Sequence, residues 1–250
     1  MKFKSLKQLY GLKAKRDCLL DVFISLRHDY VYFMCCKSAS STVTHHLQYA
    51  EYEGTNLIVQ DVNNHYASPH LRLFQLPEAM IVEILNLPKY RKVAFVRNPF
   101  TRILSCYLHR IIEERKMNPS KAVLYAASSF SDTNKPTFAE FLRFIAGQKH
   151  GEMERHWQVQ SVSTLYRHLN YDFVGKQENL VPDLLAVEKL LYGREMFDRE
   201  ALLGVRKGPR VTSAGARMRE HYAAETIGLI QQIYADDFRD FAYPLDPPGL

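Results

Sequence analysis

The 250 residues are 46% hydrophobic and 24% charged, a balance that buries a large core and is read as one domain over 1–250. No run of about eighteen apolar residues occurs, and no apolar segment long enough for a signal-peptide core precedes Arg27 and Asp29. The net charge of +6 suggests an anionic partner, but both signs are scattered and no nucleic-acid motif is present. A phosphorylated small molecule or an acidic glycan is therefore expected ahead of nucleic acid. The expected location is cytoplasmic, or else the chain is a portion of a longer membrane-anchored parent; peripheral membrane contact and oligomeric state stay open.

Residues 1–29 are basic and weakly amphipathic and read as a helical lead-in. Then strand and helix patterns alternate: Tyr30–Cys36 strand, Ser41–Glu53 helix, Leu57–Val62 strand, Pro77–Asn86 helix, Lys92–Arg97 strand and Pro99–Glu114 helix. That order predicts an α/β fold, a three-layer arrangement of a central parallel sheet flanked by helices. Residues 115–137 lose periodicity and read as an insertion or lid. The pattern resumes with a short helix ending at Gly147, a strand in "YDFVGKQENL", a helix over Pro182–Leu191, a basic loop, and a last helix over Ala216–Tyr234. Cys18, Cys35, Cys36 and Cys106 have neither metal spacing nor disulfide-framework density and are read as reduced, structural thiols.

The most informative stretch is "YVYFMCCKSASSTVTHHL", a strand that runs into a hydroxyl-rich turn and then a helix. A helix start after a strand concentrates unsatisfied backbone N–H groups and the positive end of the helix dipole, which suits a phosphate. Ser38, Ala39, Ser40 and Ser41 let the backbone approach an anion, Lys37 adds charge, and Ser41 and Thr42 add hydroxyls or serve as the helix cap. The Walker glycines are absent and the lysine opens the loop, which counts against an ATP or GTP hydrolase. A second motif, "VAFVRNPFTRILSCYLHR", ends a buried strand in Arg97, where open α/β sheets bind ligands, and carries Ser105 two turns into the next helix. Arginine grips phosphate bidentately and serine adds a hydroxyl bond; taken singly, the same residues make an ordinary salt bridge and a back-bonded helix serine.

"KSASST" followed by "FVRNPFTRILSCY" resembles the two nucleotide signatures of the carbohydrate sulfotransferases that use 3′-phosphoadenosine 5′-phosphosulfate (PAPS), sulfotransferase family 2. "HWQVQ" at His156–Gln160 resembles that family's HWxPQ, "YDFVGKQENL" its YDFVGKxExL, and "IYADDFRDFAYP" the closing segment of its bacterial members. Cys36 stands in place of the proline common before the loop lysine, and Val159 in place of the HWxPQ proline.

The resemblance implies a P-loop-like fold and transfer of sulfonate from PAPS to a hydroxyl of a glycan or glycolipid, with no metal. It assigns Lys37 and residues 38–42 to the 5′-phosphosulfate, and Arg97 and Ser105 to the 3′-phosphate. "RKG" at Arg206, Lys207 and Gly208 is similar to a 3′-phosphate motif of cytosolic sulfotransferases. A histidine suits the general base that the acceptor needs near neutral pH. His65 in "VNNHYASPHLRLF" is preferred, His70 next, then His156; His45 and His46 read as packing or surface residues. Trp157 reads as core or as a sugar-stacking platform, and Lys176 and Glu178 as residues that fix a turn. The alternatives are a Mg-nucleotide-dependent kinase of similar fold and a noncatalytic glycan- or nucleotide-binding module.

Overall fold

Most strand residues of one half of the chain are buried on both faces, which dictates a sheet sandwiched between helices. The computed structural model describes residues 3–13, 15–58, 62, 64, 68–113, 136–197 and 218–249. They fall into two compact units, one formed by Met1–Val96 and Gln160–Gly208, the other by Arg97–Val159 and Pro209–Leu250.

In the first unit, β1 (Val22–Ser25), β2 (Tyr30–Phe33), β3 (Arg91–Val96) and β4 (Phe173–Lys176) form a sheet in the order β1-β2-β3-β4. β2, β3 and β4 are parallel, paired Tyr32↔Val93 and Phe95↔Gly175, while β1 runs antiparallel to β2. Because strand side chains alternate, Val22, Ile24, Val31, Phe33 and Ala94 share one face, and Phe23, Tyr30, Tyr32, Val93 and Phe95 the other.

The first face is covered by Leu9 of α1 (Leu6–Leu12), Cys18 of α2 (Lys15–Asp21), and Ile81, Ile84 and Leu85 of α4 (Glu78–Asn86). The second is covered by Val43 and Leu47 of α3 (Ser40–Glu51) and by Leu184 and Val187 of α8 (Leu180–Tyr192). The three-layer α/β fold is thus present, and it is P-loop-like: parallel strands with a loop and helix following β2.

Two expectations change. Residues 22–25 are not part of a helical lead-in but an edge strand, tied back through Ile24 to Leu71 by paired 2.9 Å backbone hydrogen bonds. Leu57 and Ile58 are not strand but irregular and exposed; the rest of that expected strand lies largely outside the described residues.

The second unit is helical: α5 (Pro99–Cys106), α6 (Phe138–Ala146), α9 (Met218–His221), α10 (Ala224–Ile233) and α11 (Ala235–Asp240). α7 (Gln160–Ser163) opens the return of the chain to the first unit. Asn98 caps α5 by accepting from Phe100 N at 3.0 Å, with Pro99 in the first turn, where its missing N–H costs nothing.

α5 does not continue to Glu114 as an α-helix; residues Tyr107–Glu113 widen into a π-helix, a form concentrated at functional sites. Thr137 and Glu140 form a capping box at the start of α6. Phe100 packs on Phe238, and Phe141 meets Trp157 edge to face. The expected last helix is broken at Tyr222 and Ala223, and α11 extends helix past Tyr234. All four cysteines are buried, and none is in a disulfide. Among the described residues no helix is long and apolar enough to cross a membrane.

Candidate active site

The loop after β2 has no glycine, yet it takes the backbone shape for which glycine is usually required. Lys37 (φ 68) and Ala39 (φ 58) both occupy the left-handed region, which costs a non-glycine residue about 1–2 kcal/mol. Ala39 is the N-cap of α3, and no side chain caps the helix there. The amides of its first turn are therefore left for water or a ligand, with the positive end of the dipole behind them.

Lys37, Ser40 and Thr42 are half-buried, and Ser41 is exposed. Ser38 turns its buried hydroxyl inward, donating to Gln160 Oε1 at 3.0 Å. Its side chain therefore holds the loop's shape, leaving its backbone to face an anion. The second turn of α3 carries His46, which is buried and 2.7 Å from Glu188 Oε1 of α8, the first of the two placements, packing or surface, expected of it.

The second signature is carried by α5. Arg97 follows β3 directly and is half-buried, and its Nε donates to Thr101 Oγ1 at 2.9 Å. Thr101 in turn donates to Asn98 O at 3.2 Å, so one threonine fixes how the guanidinium leaves the backbone. Ser105 is buried on the same helix. Tyr222 donates to Phe100 O at 2.6 Å; burial pushes its phenol well up, and the Arg97 charge acts against that rise.

The histidines separate sharply. His65 lies outside the described residues, as do Arg206, Lys207 and Gly208 and all but the last two residues of the expected 115–137 insertion. His70 is 2% exposed and 2.6 Å from the Tyr30 hydroxyl, inside a cluster with Glu51 and Tyr192. Burial pushes its imidazole down to about 3, with the charges of Arg72 and His28 adding to the effect. A neutral ring sealed in the core has no path to a substrate hydroxyl, so this placement speaks for a structural role.

His156 is half-buried, and its Nδ1 sits 2.7 Å from Glu154 Oε1. Trp157 is core, its indole donating to Gln148 Oε1 at 3.0 Å, which removes it as a sugar platform. The turn after β4 is tied by Asp183, which accepts from Lys176 N at 2.6 Å and from Asn179 Nδ2 at 2.7 Å.

Gln160, Thr101, Glu154 and Asp183 are the residues that sequence reasoning passed over. Gln160 had a signal, as the last residue of "HWQVQ"; the others are single polar residues whose partners only the fold reveals.

Comparison with known proteins agrees with these motifs. The model of the sulfotransferase family matches residues 20–244. Carbohydrate sulfotransferase 11 of Danio rerio is 31% identical over 174 residues, covering 64% of this chain and 49% of the relative. Carbohydrate sulfotransferase 14 of Homo sapiens is 26% identical over 179 residues (64% and 44%), and carbohydrate sulfotransferase 12 of Mus musculus 27% over 185 (64% and 42%). The chain spans about half the length of these relatives. No solved structure matches it. On the family match over 20–244, the chain belongs to the sulfotransferase family, the one its loop and arginine motifs resemble.

Proposed function

We propose that this chain transfers the sulfonate of PAPS to a hydroxyl group of a carbohydrate. The observation that carries the reading is the loop after β2, where Lys37 precedes a helix whose N-cap, Ala39, offers no side-chain acceptor of its own. Such a loop suits the 5′-phosphosulfate: the backbone of residues 38–42 supplies N–H donors, and Lys37 neutralises charge that grows on the phosphate oxygen as sulfonate departs. Arg97 and Ser105 bind the 3′-phosphate, with Thr101 orienting the arginine.

Sulfonyl transfer, like phosphoryl transfer, asks the protein for alignment and charge stabilisation, and no covalent nucleophile is needed. A base takes the proton of the acceptor hydroxyl. The relatives' names support a glycan as acceptor.

Calorimetric titration with the desulfonated product, 3′-phosphoadenosine 5′-phosphate (PAP), beside ADP and ATP with and without Mg²⁺, tests the reading. Micromolar PAP binding without metal, with ADP much weaker, is expected. Tight Mg²⁺-dependent ATP binding with PAP no better than ADP would favour a kinase, and PAP binding without any turnover on an unsulfated glycan panel would favour a binding module.

A further inference from the structure

The segment before α7 builds a carboxylate–imidazole pair from two residues separated in sequence only by Arg155. Glu154 Oε2 accepts the backbone N–H of His156 at 2.8 Å, and Oε1 meets the His156 ring at Nδ1, 2.7 Å away. The carbonyl of Glu154 accepts from Trp157 N at 3.1 Å and Gln158 N at 2.9 Å, so the turn holding the pair is itself bonded. The ring's other nitrogen, Nε2, makes no hydrogen bond to any described residue, and the side chain is 21% exposed. A carboxylate on Nδ1 selects the tautomer with Nδ1 protonated, and leaves Nε2 as a lone pair available to take a proton.

We propose that His156 is the general base of the transfer and that Glu154 is its positioning residue, an inference that rests on the sulfotransferase reading above. His156 Nε2 takes the proton of the acceptor O–H as the acceptor oxygen bonds to sulfur. The bond from sulfur to the bridging oxygen breaks, and its electron pair leaves on the 5′-phosphate of PAP. The imidazolium so formed is balanced by the Glu154 carboxylate.

The charged groups around the ring are Glu154, Arg155 beside it in sequence, and Arg110 of the π-helix, while Arg102 of α5 donates to the carbonyl of His156. Burial lowers the imidazole, the Arg110 and Arg155 charges lower it further, and Glu154 raises it. Burial raises Glu154, but its bonds to His156 and the charges of His156 and Arg110 bring it below the ordinary carboxylate range. The net direction is downward for both groups, which favours the carboxylate form of Glu154 and the neutral form of the His156 ring.

The test uses the full chain labelled with ¹⁵N-histidine, together with Glu154→Gln, His156→Gln and His65→Gln variants. NMR should show the neutral His156 ring protonated at Nδ1, and Glu154→Gln should lower its titration midpoint by about one pH unit, since the variant loses a charge that favours the imidazolium. PAPS turnover on unsulfated polysaccharides should fall roughly 10²–10⁴-fold in His156→Gln with PAP affinity kept, and the acid limb of kcat/KM should move with the NMR midpoint in Glu154→Gln. A role in folding alone would lower stability and leave that limb in place. A ring protonated at Nε2, a midpoint unmoved by Glu154→Gln, or full turnover in His156→Gln with none in His65→Gln would overturn the assignment. Failure of the wild-type chain to bind PAP would instead overturn the sulfotransferase reading itself.

Discussion

Lowering the pH should cost this fold more than its surface charges explain, because His70 is buried neutral. Its Nε2 is paired with Tyr30 at 2.6 Å, and Glu51 Oε1, at 3.9 Å, stands beyond hydrogen-bonding distance. Burial, with Arg72 and His28, pushes the imidazole down to about 3. In the unfolded chain the same ring titrates near pH 6.5. Between those values the unfolded state binds a proton that the folded state refuses, so the contribution is complete above about pH 6.5 and is lost as pH falls toward 3.

At about pH 5, some one and a half units below the unfolded value, the loss comes to about 2 kcal/mol. Urea unfolding near pH 7.5 and near pH 5 measures it, with His70→Gln as the reference: the glutamine amide can donate to or accept from the Tyr30 hydroxyl and cannot titrate. The wild type should lose about 2 kcal/mol more than the variant over that interval. Equal losses would mean that Glu51 captures the protonated ring as an ion pair, and the argument from burial would fail.

Gly175→Ala should destabilise by roughly 1–3 kcal/mol in the same assay, because a Cβ there would stand 2.4 Å from Phe95 Cε1 on the paired strand. An unchanged midpoint would show that the Phe95 ring swings aside freely. Ala39→Gly should hold or gain stability, by up to about 1 kcal/mol, since it relieves a left-handed alanine at an N-cap; an ordinary loss of that size would contradict the loop conformation. Arg97→Ala should weaken PAP binding by roughly 2–4 kcal/mol in calorimetry, and unchanged affinity would move the 3′-phosphate elsewhere.

The alternation of elements and both motifs proposed to hold the phosphates were legible because each is local: a hydroxyl-rich turn after an apolar strand, and an arginine at a strand end. β1 escaped because Val22–Ser25 is buried at every position, so the period-two signal of a half-exposed strand is missing and "CLLDVFISL" reads as helix. Leu57 and Ile58 misled in the opposite sense, an apolar pair that the fold leaves on the surface. His70 looked like a base beside its neighbours in "SPHLRLF"; only its contact with Tyr30, 40 residues earlier, reveals an interior residue. The inward turn of Ser38 was equally hidden, since its partner lies 122 residues away.

That last separation bears on the order in which the molecule comes into being. A ribosome that has released only the first half of the sequence has supplied β2, the loop and α3, but not Gln160, β4 or α8, which complete the same unit. Until then Ser38, which stands between the two left-handed residues, lacks the Gln160 amide that its hydroxyl bonds, and the loop lacks that support for its strained shape. Nucleotide binding should therefore emerge late in synthesis, and no fragment ending before Gln160 should show it.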